Sequence, residues 1–273
     1  MKNRKTTLLL LAMFFIGLSV LLYPSISSYW NSKTQSKAIV DYEAMLASYK
    51  PEDYTAVFEA ANAYNQELQQ LEEPLLNHSQ LSGYHETLNV SGTGMMGYIT
   101  IPKISQELPV YHGTSEGVLS VAVGHLEGTS LPVGGESTHC VVSGHTGLPS
   151  AKLFTNLNQL EKGDTFLFRI LDETLTYEVD QILIVLPQET DALHIEEDKD
   201  LCTLVTCTPY GVNSHRLLVR GHRVENAEIA KTIRVTADAM QIEPLIVAPL
   251  VAVPMLLVLL IMVMFGGRKK GGR

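Results

Sequence analysis

Two long stretches without charge bracket this sequence, and they constrain its fold more than anything between them. No charged residue occurs from 6 to 32, and the heart of that run, LLLLAMFFIGLSVLLY at 8–23, is apolar behind Lys2, Arg4 and Lys5. It reads as a signal peptide or an anchor. No small-x-small cleavage site stands out after Tyr23, where Ser25-Ile26-Ser27 is a weak candidate, whereas Pro24 and Trp30 suit an interface anchor; retention is the expectation. The second run, 244–267, ends in Arg268, Lys269 and Lys270. At about 1.5 Å per residue it can cross a hydrocarbon core of roughly 30 Å, and with no polar face over its length it is not a buried core helix. Positive charge flanks both runs, so the positive-inside rule places both termini in the cytoplasm and the intervening chain outside.

That intervening chain is acidic. The net charge is −9, yet seven of the 20 basic residues crowd the two ends, leaving 13 against 29 acidic residues between them. Such a segment is repelled by phosphate backbones and anionic headgroups, which excludes nucleic acid as a partner. A hydrophobic fraction of 45% excludes a disordered chain. Three cysteines, Cys140, Cys202 and Cys207, are too few for a disulfide framework and too scattered for a zinc ribbon.

The organisation is expected to run as an N-terminal membrane segment at 1–30, helices and a lid-like stretch at 31–94, a β-barrel at 95–225, a tether at 226–243, a transmembrane helix at 244–267 and a basic tail at 268–273. In the front part Tyr54, Val57, Phe58, Ala61, Tyr64, Leu68 and Leu71 recur at helical spacing, with Pro51 suited to a first turn. Glu73-Pro74 breaks that periodicity. From Met95 the pattern changes to short runs rich in Val, Ile, Thr and Tyr, bounded by Gly, Pro or Asp. Strands are expected near 97–101, 109–111, 138–143, 165–170, 174–185, 201–207 and 216–220, with a short helical insertion at 151–160. Seven or eight strands at this spacing indicate a mainly β fold with a closed or nearly closed barrel.

Candidate chemistry gathers at strand ends. Cys207 closes the strand LCTLVTC immediately before Thr208-Pro209, so its side chain can meet solvent. His145 lies in VVSGHTG, and Arg216 opens HRLLVRG nine residues after Cys207. A cysteine nucleophile needs a base or cationic neighbour, and an acyl-transfer intermediate needs a donor at its oxyanion. His145 and Arg216 would supply those functions. Cys140 and Cys202 read as small core hydrophobes, Cys202 falling on the opposite strand face from Cys207. His125, in GHLEGTSLP, is the rival base, and Arg220 shares a face with Arg216 but lies roughly 13 Å further along at about 3.3 Å per residue. The acids of 194–200 could bind Ca²⁺, although a solvated charge run is the simpler reading.

TLVTC at 203–207, SGH at 143–145 and HRLLVRG at 215–221 resemble the signature of sortases, the membrane-bound cysteine transpeptidases of Gram-positive bacteria. The longer set GTSLPVGG, SGHTGLP, LFTNL, GD and TCTPYGVNSHRLLVRGHR, with the two membrane runs, resembles the class C, pilin-polymerising branch. The resemblance implies an eight-stranded sortase barrel with short helices, a catalytic set of His145, Cys207 and Arg216, and no metal or organic cofactor. It also implies a monomer in the cell membrane with its catalytic domain outside, acting on secreted pilins or surface proteins that carry a C-terminal motif similar to Leu-Pro-x-Thr-Gly. Cleavage between Thr and Gly would leave a thioacyl enzyme for a pilin lysine to resolve. Transfer to a peptidoglycan cross-bridge is the alternative within the family, and a non-catalytic surface-binding or scaffold module the alternative outside it. A papain-like protease is disfavoured because there cysteine precedes histidine.

Class C relatives usually carry an Asp-Pro-aromatic lid before the barrel. Here Glu73-Pro74-Leu75 keeps an acid, a proline and an apolar group but loses the aromatic, and it reads equally as a helix terminator. As a lid, Glu73 would pair with Arg216 and Leu75 would cover the Cys207 sulfur. Thr146 stands where relatives often have a basic residue.

Overall fold

The computed structural model describes residues 2–226 and 253–255. The expected C-terminal membrane run and basic tail, and the tether beyond Asn226, lie outside the described residues except for 253–255. Two compact units part near Trp30.

Helix α1, Lys2–Leu46, does not stop where the apolar run ends, and Pro24 lies inside it at the cost of one backbone N–H. Within the first unit its Leu8, Leu9, Met13, Phe15, Ile16 and Val20 are exposed. Among the described residues α1 is the one helix long and apolar enough to cross a membrane. In the second unit the same helix becomes amphipathic, and Ile39, Tyr42 and Leu46 join the core. The Tyr42 hydroxyl donates to the Met96 carbonyl at 2.9 Å and accepts the Leu171 N–H at 3.0 Å, so helix and barrel share a buried, satisfied polar contact. Burial pushes its pKa up to about 12.

Helix α2, Pro51–Gln69, begins with the expected proline, and the Asp53 carboxylate accepts the Lys50 N–H at its start. It buries Ala61, Tyr64, Asn65 and Leu68, positions from one helical stripe. A single turn, α3 (Pro74–Asn77), follows Glu73, whose φ of 49° is the left-handed conformation that separates the two helices.

The body is a closed barrel of eight strands: β1 Met95–Ile101, β2 Gln106–His112, β3 Val123–His125, β4 Thr138–Ser143, β5 Thr165–Ile170, β6 Glu173–Val185, β7 Asp200–Thr208 and β8 His215–Val224. Round the barrel they run β1-β2-β3-β4-β7-β8-β6-β5, with β5 pairing back onto β1. Only the β2–β3 and β4–β7 pairs are parallel. Closure removes the exposed sheet edges an open sheet would leave. The interior is filled by alternate residues such as Ile99, Val142, Phe166, Phe168, Leu204 and Val219, all fully buried, each worth on the order of 1.5–3 kcal/mol.

Two local expectations give way. Segment 151–160 is turns with a short 3-10 stretch at Leu157–Gln159, because Leu153 takes a left-handed conformation (φ 38°) that no continuous helix tolerates. Strand β3, too short to show periodicity, was outside the expected set; it exists because Gly124 lets its backbone press on the Gly113 carbonyl, only 2.2 Å from where a Cβ would sit.

Candidate active site

Strands β4, β7 and β8 are neighbours, and their ends bring three of the expected residues together. In the β7–β8 ladder Cys207 stands directly opposite Arg216. In the parallel β4–β7 ladder Ser143 stands opposite Val205, and the pairing continues: the Gly144 N–H donates to the Val205 carbonyl at 3.0 Å and the Thr206 hydroxyl to the Gly144 carbonyl at 2.7 Å. His145 follows two residues past the end of β4, on the rim where β7 ends in Cys207 and Thr208.

Side-chain alternation assigns the faces. Cys140, Val142, Cys202, Leu204, Leu217 and Val219 belong to the barrel core. Val141, Val205 and Leu218 form a second cluster on the outer face, and Cys207 and Arg216 share their parity. His145, Cys207 and Arg216 are half-buried. A thiol with an imidazole and a guanidinium at adjacent strand ends, partly open to solvent, is a constellation for acyl transfer through a thioester.

The loops around these residues are fixed by backbone contacts. The Phe154 N–H donates to the His145 carbonyl at 3.1 Å and the Gly147 N–H to the Thr155 hydroxyl at 3.1 Å. The Tyr210 ring, otherwise 72% exposed, lies over Gly147, whose φ of +74° and 2.5 Å clearance to that ring at the Cβ position both require glycine. Thr206 and Tyr210 were not singled out from sequence; the signal was an aromatic directly after the cis Thr208-Pro209 bond at the end of the cysteine strand. Arg216 Nη1 donates to the carbonyls of Asn213 and His215 at 3.2 and 3.1 Å.

Both rival residues are committed elsewhere. His125 is fully buried, with Nδ1 2.9 Å from the Tyr84 hydroxyl and Nε2 2.9 Å from the Ser130 carbonyl. Arg220 holds the Asp180 carboxylate through Nε and Nη2 at 3.0 and 2.9 Å and Glu196 through Nη1 at 2.5 Å. The carboxylate of Glu196 is thus shared by Arg220 and Lys199, and Asp200 accepts from Tyr177 and the Gly135 N–H, which ties two acids of 194–200 into the fold.

The lid-like segment differs from its expected contacts. Glu73 is exposed and makes no ion pair with Arg216. Its reach is limited by geometry: the left-handed turn at Glu73 delivers Pro74 and Leu75, not the carboxylate, to the barrel. Leu75 packs against the outer-face cluster of Val141, Leu193 and Leu218, and its backbone presses on Gly128, where a Cβ would lie 2.7 Å from the Pro74 carbonyl oxygen.

The Sortase domain family model matches residues 99–224. The sortase D of Bacillus subtilis (strain 168) is 32% identical over 131 residues, which are 47% of this chain and 63% of that protein. The chain spans less than two thirds of the length of the curated relatives it matches. Solved structures match more fully. The sortase C1 of Streptococcus agalactiae is 48% identical with a TM-score of 0.64, covering 70% of this chain and 99% of that one. The sortase C of Streptococcus pneumoniae is 42% identical with a TM-score of 0.63, covering 69% of this chain and 97% of that one. Covering two sortase C structures almost end to end with 70% and 69% of its own length, and with a thiol, an imidazole and a guanidinium at neighbouring strand ends on one rim of the barrel, this chain belongs to the sortase family.

Proposed function

We propose that the protein is a class C-type sortase, a cysteine transpeptidase that joins pilin subunits at the outer surface of a Gram-positive cell. The observation that carries this is the pairing of Cys207 with Arg216 across β7 and β8, with the β4 end bearing His145 clamped to the same strand. Similarity to the pneumococcal enzyme, whose structure bears on pilin substrate specificity, and to a sortase C1 of a pilus island supports the choice of substrate. The apolar part of α1 supports a membrane anchor, and its basic start supports a cytoplasmic N-terminus.

In this reading the Cys207 sulfur attacks the threonyl carbonyl of a Leu-Pro-x-Thr-Gly-like motif. Arg216 stabilises the oxyanion or positions the substrate. The C–N bond breaks as His145 protonates the departing glycine amine. A lysine amine of the next pilin then attacks the thioester, His145 takes its proton, and Cys207 is released as an isopeptide bond forms. The lid-like segment 73–75 would restrain access by resting on the outer face that the motif must reach.

The test is mass spectrometry of the full chain in detergent with a sorting-motif peptide and a purified pilin. A thioacyl adduct on Cys207 and a peptide–lysine isopeptide are expected. An adduct on another residue, or none, would remove the catalytic assignment, and transfer only to a peptidoglycan stem amine would remove the pilin half.

A further inference from the structure

The barrel interior holds two thiols that the proposed reaction does not use. Cys140 on β4 and Cys202 on β7 are direct register partners on adjacent parallel strands, and they are 3% and 0% exposed. Both are free thiols. Adjacent strands lie about 4.8 Å apart, within the roughly 4.4–6.8 Å between Cα atoms that a disulfide spans. Burial raises the pKa of both thiols. It leaves Cys202 well above its ordinary value, whereas at Cys140 the neighbouring Cys202 and His125 side chains outweigh it and bring that thiol down.

We propose that Cys140 and Cys202 form a redox couple, a dithiol that a small hydroperoxide converts into a cross-strand disulfide stapling β4 to β7 inside the barrel. A hydroperoxide is the fitting oxidant because a protein disulfide cannot reach thiols this deeply buried, whereas a molecule near the size of water can. The Cys140 sulfur attacks the peroxide, the O–O bond breaks, and the departing oxygen leaves as water or alcohol with the thiol's proton, giving a sulfenic acid. The Cys202 sulfur then attacks the Cys140 sulfur, the S–O bond breaks, and a second water leaves with the Cys202 proton. Two electrons pass from the two thiols to the peroxide.

The placement gives the bond a consequence. His145 lies five residues beyond Cys140, two past the end of β4, and Cys207 five beyond Cys202 on β7. Because β4 and β7 are parallel and in register, a staple at one rung fixes the separation of the two strand ends at the other. Formation of the bond rests on the fold alone; only this consequence rests on the proposed catalytic pair.

The experiment uses the full chain in detergent with hydrogen peroxide as the probe. After quenching, the protein is unfolded, remaining thiols are alkylated, and unreduced peptides are mapped by mass spectrometry. The expected product joins the Cys140 and Cys202 peptides, leaves Cys207 outside the link, and is reversed by dithiothreitol. In a Cys207→Ala background, which removes the exposed thiol, the linked form should unfold roughly 5–15 °C higher than the reduced form. In Cys202→Ala, oxidation should halt at a Cys140 sulfenic acid that dimedone traps; if that variant does not fold, the wild-type map decides. The proposal is overturned if Cys140 and Cys202 both stay alkylatable under peroxide that oxidises Cys207, or if the link joins Cys207 to either. The map needs no turnover, so it stands apart from the outcome for the catalytic reading.

Discussion

Cys207 and Arg216 are register partners across β7 and β8, and the Arg216 guanidinium is steadied by the carbonyls of Asn213 and His215 rather than by a carboxylate. A planar fork with one nitrogen so engaged still presents other N–H groups to an oxyanion. A lysine ammonium would retain the charge but could not make the carbonyl contacts and the oxyanion contact in the same geometry. Arg216→Lys is expected to lose roughly 10–100-fold in kcat and Arg216→Ala about 10²–10³-fold, measured with a sorting-motif peptide. Equal kinetics for Arg216→Lys and the unaltered protein would argue against a geometric role.

Cys207→Ala should form no thioacyl adduct and release no glycine product. Cys140→Ala should retain turnover while losing on the order of 1 kcal/mol of stability, since its sulfur fills core space. A thioacyl adduct on the Cys207→Ala protein would refute the nucleophile assignment.

Arg220 presents the opposite case. Its side chain is 13% exposed and bridges Asp180 on β6 to Glu196 in the loop before β7. Arg220→Ala leaves Asp180 without its cation and Glu196 with Lys199 alone, and a loss of about 2 kcal/mol is expected. Chemical denaturation should show that loss, while the alkylation rate of Cys207 in the folded protein stays within about twofold.

The barrel and the residues at its rim were readable from local pattern because β-branched runs alternate with period two and end in Gly, Pro or Asp. Strand 138–143 and strand 165–170 coincide with their sequence expectation, and β6 differs by one residue. What was not readable depended on distant contacts. Strand β3 has only three residues and is defined by its neighbours β2 and β4. Sequence spacing favoured Arg216, but the partner that engages Arg220, Asp180, lies 40 residues away and left no local trace. The side chain of Glu73 was expected at Arg216 because the motif's spacing is silent about φ, and a left-handed residue at that point redirects it.

His139 gives the protein an acid-sensitive element. Its Nδ1 faces the His194 carbonyl at 2.8 Å and its Nε2 the Thr203 hydroxyl at 2.7 Å, which a neutral ring protonated on Nδ1 satisfies completely. Burial holds its pKa below the ordinary value; the His194 carbonyl opposes that and the Arg220 charge adds to it. His112 is lowered too, again by burial first. Since the folded pKa is depressed, the unfolded chain takes up the proton first. The stability from these neutral rings is whole above about pH 6.5 and is lost as pH falls through the folded values, with a slope of up to about 1.4 kcal/mol per pH unit for each. Denaturation midpoints measured from pH 8 to 5 should fall below about 6.5, and His139→Gln should remove part of the slope. An unchanged slope would mean that His139 protonates equally in both states.

The lid-like segment makes a prediction that separates its three residues. Glu73 has an exposed carboxylate, so Glu73→Gln should leave access to Cys207 unaltered. Leu75 is half-buried against the cluster of Val141, Leu193 and Leu218, and truncating it removes about 1 kcal/mol of apolar contact from the closed position. If the segment must lift for a bulky thiol reagent to reach Cys207, Leu75→Ala should speed alkylation roughly fivefold, because 1.4 kcal/mol corresponds to tenfold in the opening equilibrium. Gly128 offers a second handle from the barrel side. A Cβ there would lie 2.7 Å from the Pro74 carbonyl oxygen and 2.9 Å from the Leu75 Cα, on a residue with φ of +88°, so Gly128→Ala should displace the segment without altering it and raise the rate at least as much. Far-UV circular dichroism on both variants checks that the barrel is intact. Faster alkylation in Leu75→Ala and Gly128→Ala with no change in Glu73→Gln identifies a lid held by apolar contact. Equal rates in all of them would reduce Glu73-Pro74-Leu75 to the terminator of α2 and leave the thiol open at rest.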